Sequence, residues 1–119
     1  MGRLTTHVLD VARGRAAAGV AIEVWCLGRD GGQPELLKTA RTNVDGRTDA
    51  PLLAGDELVV GVYEVVFMVG DYFSVQEPAP EGLPFLDRVP VRFGIADATA
   101  RYHVPLLASP WAYSTYRGS

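Results

Sequence analysis

The sequence is short of cysteine, of charge of one sign and of long apolar runs, and each shortage removes a class of function. Cys26 is the only cysteine in 119 residues, so an internal disulfide is excluded. Its place in the apolar run 20–27 reads as a buried, inert thiol, compatible with the reducing cytoplasm where the chain is expected. The formal net charge is −3 and acidic and basic residues are interspersed. There is thus no basic block of the kind that nucleic acid or an anionic membrane surface requires. No segment approaches the roughly 18 apolar residues of a spanning helix, and residues 1–7 lack the apolar centre of a signal peptide. Two histidines and one cysteine, with no HxH, HExxH or CxxC spacing, make a metal site unexpected. A nucleophile elbow, a glycine-rich phosphate loop and a close carboxylate pair are also missing.

What is present is strand signal. Apolar residues make up 48% of the chain, enough for one domain over residues 1–119 to bury a core without staples. Residues 4–10 alternate, with Leu4, Thr6 and Val8 on one face and Thr5, His7 and Leu9 on the other. Further strands are expected at 20–27, 36–41, near Leu52 and Leu53, and at 58–69, 88–95, 101–107 and 111–117. A turn between glycines is expected at 13–19, a break at 28–32, and an Asp45-Gly46 turn with positive φ. Residues 71–76 are expected to form the one short helix, with Asp71 as N-cap, and the prolines of 77–84 exclude regular structure there. Seven or eight short strands without crossover helices predict an all-β antiparallel sandwich or small barrel.

The side chains able to do chemistry lie at the two ends of the chain and in the loop at 42–49. His7 and His103 read either as hydrogen-bonded sheet histidines or as two rings presented to one cavity by neighbouring strands, where a neutral imidazole would accept a proton from water. Arg47 is either a solvated loop residue or a fixed cation that steadies an oxyanion, and Arg117 has the same two readings. Tyr113 and Tyr116 fall on opposite strand faces. Ser119 brings a hydroxyl and the chain's terminal carboxylate.

Three separated blocks, Leu4-Thr-Thr-His-Val-Leu-Asp10, Thr42-Asn-Val-Asp-Gly-Arg47 and the segment from Tyr102 to the closing Tyr116-Arg-Gly-Ser119, resemble the transthyretin-related family, and within it the hydrolases of urate breakdown that act on 5-hydroxyisourate. The resemblance extends through residues 69–73 and 84–95. It implies a transthyretin-like β-sandwich with one short helix, assembled as a homotetramer (a dimer of dimers), with sites in a channel at the subunit interface. It further implies hydrolysis of 5-hydroxyisourate to 2-oxo-4-hydroxy-4-carboxy-5-ureidoimidazoline with no cofactor. His7, Arg47, His103 and Ser119 would be catalytic, with His7 as the leading general base. His7, Arg47, Tyr116, Arg117 and Gly118 would bind substrate, and Thr5/His7/Leu9, His103/Pro105/Leu107 and Ser114/Tyr116/Gly118 would face the channel. A carrier of a small aromatic ligand in the same channel is the alternative.

Overall fold

The computed structural model describes residues 1–28, 32–76 and 81–119. The break expected at 28–32 and the proline-rich stretch 77–84 lie partly outside the described residues. The longest strands are β-branched and aromatic, as pleated, half-buried surfaces require. They build a four-stranded antiparallel sheet in the order β5-β4-β7-β8 from β4 (Ala21–Gly28), β5 (Glu35–Arg41), β7 (Gly61–Met68) and β8 (Arg88–Ile95). The facing layer contains β1 (Arg3–Thr5), β2 (Val8–Asp10), β3 (Arg15–Ala16), β6 (Leu53–Ala54), β9 (Arg101–His103), β10 (Leu106–Ala108) and β11 (Tyr113–Thr115), ordered β6-β1-β9 and β11-β10-β2-β3. Leu4, Val8 and Leu106 from this layer share one buried cluster with Ile22, Val24, Val65 and Phe67 from the other. The observed fold is the expected all-β sandwich.

Several details depart from expectation. The first and the penultimate strand do neighbour each other, but their pairing is parallel, β1 with β9 and β2 with β10. Each is also interrupted, at 6–7 and at 104–105. Pro105 has no N–H to continue the ladder, and the Thr6 hydroxyl donates instead to the Val104 carbonyl at 2.7 Å. Hydrogen bonds from Val104 N to Thr5 O and from Leu106 N to His7 O carry the two pieces across the gap. Alternation survives the break: Leu4, Thr6 and Val8 are buried, while Thr5, His7 and Leu9 are half-buried on the opposite face.

The helix α1 spans Val69–Ser74 and follows β7 directly, so Met68 stands at its N-cap without a side-chain cap and Asp71 lies in its first turn. The expected start at Asp71 is therefore two residues late, and Gln76 lies beyond the end. The physical reason is that burial runs unbroken from Val65 to Gly70; packing fixes the helix start, and Asp71 contributes only a charge favourable to the helix dipole. Cys26 is half-buried at the edge of the core rather than fully enclosed. Among the described residues no helix is long and apolar enough to cross a membrane.

Candidate active site

The parallel register of β1 and β9 aligns Arg3 with Arg101, Leu4 with Tyr102, and Thr5 with His103. Because strand side chains alternate, the even-numbered members enter the core and the odd-numbered ones project away from it together. Thr5 Oγ1 and His103 Nδ1 then meet in a 2.9 Å hydrogen bond.

The loop carrying Arg47 is built from its first two residues. Thr42 is buried, accepts a hydrogen bond from Val20 N at 2.8 Å and donates to Ala17 O at 2.7 Å. Asn43 Oδ1 accepts from Asp45 N and Arg47 N, and its amide donates to Asp49, so one side chain organises the turn. Gly46 adopts φ +75° and its carbonyl accepts from Val8 N at 2.8 Å, which docks the loop beside His7. A Cβ at Gly46 would come within 2.4 Å of Val8 O and 3.3 Å of His7 Cδ2. Only glycine satisfies both the backbone angle and the close approach.

The tail arrives from the other side. β11 runs antiparallel on β10, the Thr115 hydroxyl donates to Pro105 O at 2.7 Å, and Gly118 N donates to His103 O at 2.8 Å. A Cβ on Gly118 would lie 2.5 Å from His103 Cδ2, so the chain passes flat against the imidazole. The Arg117 guanidinium lies 4.3 Å from the centroid of the Tyr102 ring and donates to Arg101 O at 3.1 Å. These contacts anchor Arg117 against β9.

Thr5, Arg47, His103 and Ser119 line one open cleft of about 470 Å³, with Arg3 and Arg101 at the same cavity. His103 is half-buried, and its pKa is pushed below the ordinary 6.5 by loss of solvent first, then by the Arg47 cation and His7. The ring is therefore held neutral at physiological pH. His7 does not itself line this cleft; it stands behind Gly46. Tyr116 and Arg117 border a separate groove of about 250 Å³ with Phe93 and Val104, so within one chain Tyr116 does not share a wall with His103 as its strand position suggests. Edge strand β11 ends at Thr115, and alternation no longer governs the residues after it. Among the described residues no three His, Cys, Asp or Glu side chains converge as a metal site would need.

Two organising residues have no role assigned from the sequence, although Thr5 is expected to face the channel. Thr5 was legible as a neighbour of His7 on one face, but its partner is visible only once the β1–β9 register is known. Asn43 carried a local signal, a short amide two residues before Asp45-Gly46, of the kind that caps its own turn.

A protein-family model described as HIUase/Transthyretin family matches residues 4–118. The chain is 55% identical over 119 residues, covering all of both chains, to a 5-hydroxyisourate hydrolase of Ralstonia nicotianae. Among solved structures, a 5-hydroxyisourate hydrolase of Klebsiella pneumoniae matches with TM-score 0.78 at 31% identity, with all of both chains covered. An (S)-allantoin synthase matches with TM-score 0.91 at 45% identity over 99% of this chain, which spans 44% of that longer one. With its sandwich, its cleft and these full-length matches taken together, the chain belongs to the HIUase/Transthyretin family.

Proposed function

We infer that the chain is a hydrolase that opens the ring of 5-hydroxyisourate. The observation that carries this reading is the meeting of a neutral, fixed imidazole, a guanidinium and the end of the chain in one cleft, in a protein alike over its whole length to a hydrolase of that substrate. Water attacks the ring carbonyl, the carbon–nitrogen bond breaks, the released nitrogen takes a proton, and the new carboxylic acid loses one to solvent.

Each residue has a role that its surroundings support. If Nδ1–H of His103 donates to Thr5 Oγ1, Nε2 keeps its lone pair and accepts the water proton. The sequence reading assigns that step to His7; the fixed orientation and depressed pKa of His103 favour His103, with His7 as the second imidazole that passes the proton on. Arg47 holds the substrate and the developing oxyanion. Gly118 gives the substrate room beside the imidazole, Ser119 holds the attacking water, and Arg117 secures the tail. Tyr116, 61% exposed on the edge strand, serves the site from a neighbouring subunit in a dimer of dimers, for which the open cleft and the exposed Trp111, Tyr113 and Tyr116 of the tail leave the surface.

The test follows the ultraviolet decay of 5-hydroxyisourate, generated from urate with urate oxidase, with and without the protein. Decay several-fold faster than in buffer is the expected result. Decay at the spontaneous rate overturns the hydrolase reading and favours the carrier.

A further inference from the structure

We propose that Arg3 and Arg101 form an anion-binding subsite at the mouth of the cleft, suited to a small carboxylate or other oxyanion; the proposal rests on the cleft being the hydrolase site. The two residues are direct cross-strand partners in the parallel β1–β9 pair, both exposed and both lining the cavity that holds His103 and Arg47. They stand two residues from Thr5 and His103 on the same strands and the same face, so the pair lies one strand repeat, about 7 Å, from the imidazole.

Like charges placed opposite each other on neighbouring strands oppose folding, and among the described residues no carboxylate pairs with either of them, although Ser119 lines the same cavity. Neither guanidinium is in an ion pair among the described residues, whereas Arg13, Lys38 and Arg92 each have a carboxylate partner. The acidic side chain lining the cleft, Asp49, is bonded to Asn43 on the loop. Two guanidiniums side by side, each with a planar set of donors, match the two oxygens of a carboxylate. Hydrolysis of a cyclic amide creates one such group, so the arginine pair draws the new carboxylate away from the imidazole as the ring opens.

The probe is sulfate, compared with sodium chloride at equal ionic strength, on the wild type, on Arg3→Gln/Arg101→Gln and on a charge-matched Arg41→Gln/Arg92→Gln control. Sulfate at millimolar concentration is expected to inhibit hydrolysis in the wild type and control and to raise their melting temperatures. The cleft variant should show an inhibition constant at least about fivefold higher and little melting shift. An unchanged inhibition constant and melting shift in the cleft variant would overturn the proposal by leaving Arg47 as the sole anion contact. A cleft variant that loses its assembly in size-exclusion chromatography would overturn it by making the pair a subunit contact. The melting shift needs no turnover, so a protein inactive on 5-hydroxyisourate that still loses its sulfate response with the arginines retains the subsite while losing the hydrolase reading.

Discussion

At the scale of single residues the decisive contact is the one between Thr5 and His103. A hydroxyl on Nδ1 orients the ring, as hydrogen-bond partners of reactive imidazoles do. Thr5→Val removes that partner while keeping the shape, and kcat should fall about tenfold or more, the lower range of general-base effects. Thr5→Ser, which keeps the hydroxyl, should recover most of the loss, whereas a purely structural role would leave both variants alike. The pH profile gives a second readout. The His103 pKa lies below 6.5 because the ring is partly desolvated and because Arg47 and His7 are near, and in the proposed reaction the neutral ring is the form that accepts the proton. Activity therefore holds as pH falls to 6.5 and declines below it. Arg47→Gln removes one depressing cation, so in its residual activity the acid limb should move to higher pH.

At the scale of elements, the site depends on glycines where side chains would collide. Gly118→Ala places a Cβ 2.5 Å from the His103 ring. Because β11 is an edge strand ending at Thr115, the sandwich should melt within a few degrees of wild type while turnover drops by tenfold or more, a split that circular dichroism and the ultraviolet assay together resolve. Most elements were legible from the chain: β8 matches its predicted range, and the positive φ at Gly46 follows from Asp45-Gly46. What escaped was set by contacts distant in sequence. The helix start is fixed by burial of Val69 and Gly70 rather than by the polar cap at Asp71, and the breaks at 6–7 and 104–105 arise from one strand meeting the proline of another. The separation of Tyr116 from His103 escaped for a different reason, since alternation counts residues beyond the point where the strand has ended.

At the scale of the whole molecule, the two layers are tied by a polar contact as well as by the core. Asp10 is buried on β2, and Tyr72 on α1 donates to it at 2.8 Å. Desolvation and the neighbouring carboxylate push the Tyr72 phenol up to about 12, so it stays a donor across the physiological range. Tyr72→Phe leaves a buried carboxylate short of a partner and should cost about 1–3 kcal/mol in chemical denaturation. Strand β2, which follows His7, would be loosened with it. In the same layer the two ends of the chain meet, with Arg3, Thr5 and Thr6 lining the cleft from one end and Ser119 from the other.

The cleft needs both ends of the chain at His103, and a protein shortened to end at Thr115 lacks one of them. The shortened protein should fold with the circular dichroism of the full chain and elute at the same assembly size. It should decompose 5-hydroxyisourate no faster than buffer, while the full chain accelerates the decay. A folded, shortened protein with full activity would mean that the cleft works without Gly118 and Ser119 beside His103, and that the tail is no part of the site.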